Sequence, residues 1–139
     1  MTLLDDVRPS VFLQRVLAAD AATCVATGLL MLFGAGALEP WLGIPPTLMR
    51  YAGASLLPIA AFFAYVATRE SSPRVLVWAV IAGNAAWSFD SIALLFTGWI
   101  APTALGIVFI VAQALVVALF TELEYVGLRR AIALREQLM

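Results

Sequence analysis

Four stretches of predominantly apolar residues follow one another along the chain, separated by short segments rich in glycine, proline, serine and charged residues. A helix needs about 20 such residues to cross the hydrocarbon core of a bilayer. The stretches lack the alternation of apolar and polar residues that marks a barrel strand, and each is about twice as long as such a strand. The pattern therefore predicts four transmembrane helices, at residues 11–33, 47–68, 74–97 and 102–125.

Glycine and proline mark the predicted joints between these helices. The first helix is expected to end before Gly34 and Gly36, with Pro40 beyond it, because these residue types interrupt helical patterns. Residues 127–139 place apolar side chains among three arginines, and two interpretations fit that segment. It forms either a short amphipathic helix on the inner membrane surface or a solvated extension of the fourth helix.

Composition supports an integral membrane protein with a single all-helical domain. Of the 139 residues, 63% are hydrophobic and 12% are charged, and the mean hydropathy is +0.99. A soluble domain has about a quarter charged residues, and it covers its surface with polar groups. The net charge is −1 and the chain has no basic run, which argues against binding to nucleic acid.

Residue types suited to metal or cofactor chemistry are scarce. The chain has no histidine and a single cysteine, Cys24. Histidine is the commonest metal ligand and the usual base near neutral pH, while one cysteine can form neither an internal disulfide nor a cysteine-rich metal site. We therefore predict no catalytic motif, no metal site and no cofactor.

The arginines are distributed unequally between the two sides of the predicted bundle. Seven lie on one side, and Arg50 alone lies on the other. Because basic residues accumulate in the cytoplasmic loops of membrane proteins, we expect a multi-pass protein of the bacterial inner membrane with both termini in the cytoplasm. The seven are Arg8, Arg15, Arg69, Arg74, Arg129, Arg130 and Arg135.

The first and third predicted helices share a polar pattern. Each carries three polar residues at spacings of four and three, which places them on one helix face. Because polar groups avoid lipid, both stripes should face the interior of the bundle. Matching flanks indicate two copies of a helical hairpin, related by an axis along the membrane normal. The stripes are Asp20, Cys24 and Thr27 in the first helix, and Asn84, Ser88 and Ser91 in the third.

Asp20 and Asp90 are the acids well inside the apolar spans. A charge at such a depth costs about 3 kcal/mol or more, so each is a candidate for a ligand site or solute path. Each also has a structural alternative. Asp20 lies about one turn beyond Arg15 and can reach the inner interface or an arginine there, and Asp90 is expected either to pair with Arg50 or to be open to water from the outer side.

Uncharged polar residues and one aromatic residue complete the candidates. Asn84 and Gln113 lie near the middle of their spans, where they serve either a ligand or interhelical hydrogen bonding. Trp87 lies in mid-span, away from both interfaces, and is suited either to packing or to stacking on a ligand. Glu122 and Glu124 close the fourth predicted helix beside arginines, and we interpret them as a solvated charge cluster.

Three segments carry a resemblance to known proteins: residues 83–87 (GNAAW), 98–106 (GWIAPTALG) and 122–130 (ELEYVGLRR). With them the chain resembles small bacterial integral membrane proteins that have four helices and no assigned activity. The resemblance covers most of the chain. It implies the four-helix architecture and assigns no role to any residue.

Three functional hypotheses from different classes follow from these patterns. The first is a polar-lined helical bundle that binds a small solute or lets it permeate, as a homo-oligomer in the lipid bilayer. The second is an accessory or scaffold subunit that packs against a larger membrane complex through faces rich in small residues. The third, an intramembrane acid/base enzyme, ranks last because the sequence offers no evident nucleophile, metal set or carboxylate pair.

Overall fold

The computed structural model describes residues 2–139 and contains, within them, four helices and one small antiparallel sheet. All four helices are long and apolar enough to cross a membrane. The prediction of an all-helical protein with four candidate spans is therefore confirmed. The helices are α1 (Val11–Leu42), α2 (Pro46–Thr68), α3 (Arg74–Leu94) and α4 (Ala104–Leu138), and the strands are β1 (Asp6–Val7) and β2 (Ser72–Pro73).

The outward-facing surface of the bundle is apolar. Large hydrophobic side chains lie exposed along it, among them Phe33 at 81%, Phe89 at 74% and Leu115 at 63%. A soluble protein would place polar residues at such positions, whereas hydrocarbon is the solvent that favours these side chains. The exposed surface therefore agrees with the composition in indicating a lipid environment.

The first helix is longer than predicted. It passes through Gly34, Gly36 and Pro40 and ends at Leu42, followed by Gly43 with a φ of 65°. Ala35 and Leu42 are buried in a cluster with Met49 of α2 and Ile110 of α4, and such packing overrides the weak helix propensity of glycine. Pro40 lies in the last turn, where it removes only one backbone hydrogen bond. The third helix, in contrast, ends at Leu94, earlier than predicted.

The fourth helix continues to Leu138 without a break, so of the two interpretations of the tail the extension of the fourth helix is right and the separate surface helix is wrong. The extension is nevertheless not fully solvated. Leu128 and Ala131 are buried, and Gly127 lies so close to Leu13 that an added Cβ would be 2.9 Å from the Leu13 Cδ1 atom. The end of α4 therefore packs against the beginning of α1.

Helices α1 and α2 approach each other closely at a pair of glycines. A Cβ added to Gly53 would lie 2.7 Å from the backbone oxygen of Gly28, which permits no side chain at this crossing. Helix α4 packs against both α1 and α3, but α2 and α3 barely contact each other. This unequal packing leaves a cleft between α2 and α3.

The N-terminal segment connects the beginning of α3 with the end of α4. Strand β1 pairs with β2, and the backbone N–H groups of Arg74 and Val75 donate to the carbonyl oxygens of Asp5 and Leu3 at 3.0 and 2.9 Å. These bonds satisfy N–H groups of the first turn of α3, which has no side-chain cap. An ion pair of 3.8 Å joins Asp5 to Arg135 of α4.

Candidate functional site

Three polar side chains from three helices converge in the interior of the bundle. Asp20 of α1, Asn84 of α3 and Glu124 of α4 are only 1%, 4% and 0% exposed. The Nδ2 atom of Asn84 donates to Oδ2 of Asp20 at 2.6 Å and to Oε1 of Glu124 at 2.7 Å. One amide group therefore holds two carboxyl groups together, and we refer to these three residues as the carboxyl cluster.

Hydrogen-bond donors are scarce around the carboxyl cluster. The two carboxyl groups accept hydrogen bonds from the same Asn84 nitrogen, and the Cys24 thiol is 3.8 Å from Oδ1 of Asp20. Within residues 2–139, no donor contacts Oε2 of Glu124. A buried carboxylate needs several donors to replace its lost hydration, and among the described residues this pair has one amide, which donates to both, and one thiol, a weak donor. The cluster consequently has acceptors to spare.

The cluster corrects two predictions about acidic residues. Asp20 does not extend toward Arg15 or the interface but turns inward to Asn84, and Glu124 is buried rather than solvated. The sequence does contain a signal for Glu124. Together with Gly127, Leu128 and Ala131 it occupies positions i, i+3, i+4 and i+7, which define one helix face once α4 continues past residue 125.

A cavity of about 480 Å³ opens beside the carboxyl cluster, and we refer to it as the inner cavity. Residues from all four helices line it, and they include Asp20, Asn84 and apolar side chains of α2. The volume lies in the range of sites for small molecules, which are mostly apolar with a few convergent polar groups. The wall formed by α2 includes Leu56, Pro58, Ile59, Phe62 and Phe63.

A second cavity of about 220 Å³ follows the first along the bundle, and we refer to it as the outer cavity. Trp87 and Gln113 line both cavities, so the two share a wall. The Trp87 Nε1–H donates to Oε1 of Gln113 at 2.9 Å, and the Gln113 amide donates in turn to the Ile110 carbonyl oxygen at 2.9 Å. These bonds hold the indole ring between the cavities.

Five of the six candidates from the sequence line these two cavities. Asp20 and Asn84 belong to the inner cavity, Asp90 to the outer one, and Trp87 and Gln113 to both. Arg50 lines neither cavity, and its side chain lies near Gly36 on the exposed side of α1 and α2.

Of the two environments expected for Asp90, the ion pair with Arg50 is wrong. Both side chains are exposed, and no ion pair joins them in the part of the chain that the structure describes. The physical reason is the packing of the helices that carry them. Because α2 and α3 barely contact each other, their facing residues are held apart and the cleft lies between them.

The two polar stripes face the interior, as their spacing predicted. Beyond the carboxyl cluster, Thr27 lines the inner cavity and Ser91 lines the outer one. The Ser88 hydroxyl donates to the Ala114 carbonyl oxygen at 2.7 Å and so connects α3 to α4. Each stripe therefore combines contacts between helices with the lining of a cavity.

The side chains that could bind a metal ion do not form a metal site in the part of the chain that the structure describes. No group of three or more His, Cys, Asp or Glu side chains in residues 2–139 is arranged to hold a metal ion.

Comparison of the chain with protein-family models, curated proteins and solved structures found no match.

Proposed function

We propose that this protein binds a small solute in the inner cavity and passes it to the outer cavity across the shared wall. The observation that carries the proposal is the position of Trp87 and Gln113, which line both cavities and are joined by one hydrogen bond. A single hydrogen bond between helices in a membrane contributes about 1 kcal/mol, so thermal motion can break it. Rotation of the indole ring would then connect the two volumes.

The orientation of the path follows from the arginines. With both termini in the cytoplasm of a bacterial cell, α1 and α3 run outward, and the residues that line the inner cavity precede those that line the outer cavity on both helices. The inner cavity would therefore face the cytoplasmic half of the membrane and the outer cavity the opposite half. The path would lie within one copy of the chain, in a lipid bilayer.

An internal duplication gives this path a structural origin. If hairpin α1–α2 and hairpin α3–α4 are copies, Asp20 and Asn84 occupy equivalent positions. Equivalent positions related by a twofold axis meet only near that axis, and these two side chains are hydrogen-bonded at 2.6 Å. The solute site would then have formed at the axis between the copies.

Binding is tested by filling the inner cavity with a side chain. Gly83 lines this cavity, and a Cβ added to it meets no atom within 4 Å, so we expect Gly83→Leu to be accommodated and to occupy part of the cavity. The matched control is Ala82→Leu, at an exposed neighbouring position that lines neither cavity. Because a ligand of the folded state raises the melting temperature, thermal unfolding in detergent reports binding.

The probes are three compounds of similar size and different charge: triphenylphosphine oxide, methyltriphenylphosphonium and tetraphenylborate. We expect at least one of them to raise the melting temperature of the native chain and of Ala82→Leu, and to have little effect on Gly83→Leu. If no probe changes the melting temperature, or if all three proteins respond equally, the inner cavity is not a binding site and the proposal is wrong.

A further inference from the structure

We infer that the solute is a cation with an apolar body, and that it enters the inner cavity in exchange for a proton held between Asp20 and Glu124. The inference rests on the proposed function, since it names the chemistry of the solute that the same cavity takes. Three features of the structure support it: the charges that line the cavities, the aromatic rings around them and the composition of the carboxyl cluster.

The charged residues that line the two cavities are all acidic. Asp20 is the charged residue of the inner cavity and Asp90 that of the outer cavity, and neither lining includes an arginine. An anionic solute would meet repulsion at both positions, whereas a cation would find a carboxylate at each. The same sign of charge therefore continues along the whole proposed path.

Aromatic rings provide the second feature. Phe62, Phe63 and Trp87 line the inner cavity beside Asp20 and Asn84. The face of an aromatic ring attracts a cation, and this attraction is strongest where water is excluded. Apolar walls with aromatic faces and one carboxylate suit an organic ammonium or phosphonium ion better than a small hydrated metal ion.

The third feature is the excess of acceptors in the carboxyl cluster. Two carboxyl groups share the Asn84 amide, and within the described residues Oε2 of Glu124 has no donor although the side chain is 0% exposed. Two carboxylates this close inside an apolar bundle would repel each other, so the cluster needs a positive charge. A proton meets this need when the cavity is empty, and a cation meets it when the cavity is filled.

The side chains that pack beside the two carboxyl groups are uncharged. Helix α1 contributes Cys24 beside Asp20, α3 contributes the Asn84 amide, and α2 presents apolar side chains, Leu56 and Phe63. The exchange itself balances. The cation takes its place beside the Asp20 carboxylate, the O–H bond of one carboxylic acid breaks, and its proton passes to water. The net charge of the site is unchanged, and no oxidation or reduction occurs.

The experiment compares methyltriphenylphosphonium with triphenylphosphine oxide, which has a similar shape and no charge. Isothermal titration of the purified protein in two buffers of different ionisation enthalpy gives both the affinity and the number of protons released. We expect the cation to bind at least tenfold more tightly than the neutral compound and to release about one proton. Its affinity should then rise about tenfold per pH unit over the range in which that proton is released.

Substitutions of Asp20 test whether its carboxyl group takes part in the exchange of the proton for the cation. Asp20→Asn keeps the shape of the side chain and should abolish proton release and weaken cation binding at least tenfold, while binding of the neutral compound is retained and shows that the cavity is folded. Asp20→Glu should restore proton release. The matched control is Glu122→Gln, which removes an exposed carboxylate from the helix that carries Glu124 and should change nothing.

The outcomes separate this inference from the function on which it rests. If the neutral compound binds in a manner sensitive to Gly83→Leu, but the cation binds no better and releases no proton, the cavity binds solutes and the inference is wrong. If the cation binds more tightly without releasing a proton, the exchange is wrong. If neither compound binds in that manner, the proposed function fails together with the inference.

Discussion

The Asn84 side chain should be the polar residue on which the stability of the bundle depends most. We predict that Asn84→Leu, which keeps the branching at Cγ, lowers the free energy of unfolding by about 2 kcal/mol. The substitution removes both hydrogen bonds of the carboxyl cluster, at 2.6 and 2.7 Å, and leaves two buried carboxyl groups without that donor. No neighbouring helix offers a replacement, since the remaining donor to this pair is the Cys24 thiol at 3.8 Å.

The magnitude follows from two contributions. Hydrogen bonds between membrane helices contribute between about 0.6 and 2 kcal/mol each, which gives about 1 to 4 kcal/mol for the pair. Leaving a buried acceptor without a partner costs about 1 to 3 kcal/mol, although protonation of one carboxyl group recovers part of this cost. The leucine also gains apolar contacts, which offset some of the loss. Together, these losses and gains give a decrease in the free energy of unfolding of about 2 kcal/mol.

The assay is equilibrium unfolding in mixed micelles, with the helix content followed by circular dichroism. Ser88→Ala is the matched control, because it removes a single hydrogen bond from a half-buried hydroxyl on the same helix and should cost less than about 1 kcal/mol. If Asn84→Leu is as stable as the native chain, or no less stable than Ser88→Ala, the amide does not hold the carboxyl groups together as described.

Two further predictions concern topology and helix packing. Reporter fusions at Met139 and near Ser72 should indicate the cytoplasm and a fusion near Gly43 the outside, because seven of the eight arginines lie on one side; a periplasmic signal from the C-terminus would contradict this. Gly53→Ala should destabilise the bundle by about 1 to 3 kcal/mol, since its Cβ would lie 2.7 Å from the Gly28 backbone oxygen. Gly83→Ala, which meets open space, is the control, and equal melting temperatures would refute the close crossing.

The sequence predicts the architecture well because lipid imposes a simple rule on each helix separately. The length and hydropathy of a span depend on its own residues, and α2 begins and ends within one residue of its predicted bounds. The end of α1 follows a different rule. The glycines and the proline there are weak helix formers, but Ala35 and Leu42 are buried against residues of α2 and α4, and this packing continues the helix.

The site depends on contacts between helices, which periodicity reveals only in part. The spacing of Asp20, Cys24 and Thr27 correctly places them inward, because a helix face is a local property. Which residue each one meets is decided by the packing of distant segments. The partner of Asp20 is Asn84, 64 residues away, and Glu124 joins them only because α4 extends beyond the predicted span.

The shared wall between the cavities provides the sharpest test of passage as opposed to binding alone. Trp87→Phe removes the indole N–H that donates to Gln113 at 2.9 Å and keeps an aromatic ring in place. Because only one hydrogen bond and part of a ring are lost, we expect the cost in stability to be about 1 kcal/mol and binding of methyltriphenylphosphonium in the inner cavity to change little. Passage between the cavities should become faster, because the smaller ring no longer has a bond that holds it across the path.

Release of methyltriphenylphosphonium from vesicles that contain the purified protein measures this rate, and Trp78→Phe is the control, since Trp78 packs against Tyr125 and lines neither cavity. A rate that rises several-fold in Trp87→Phe and not in Trp78→Phe supports the path. Unchanged release in Trp87→Phe, with binding retained, would show that the solute does not pass between these cavities and that the protein binds it without carrying it across.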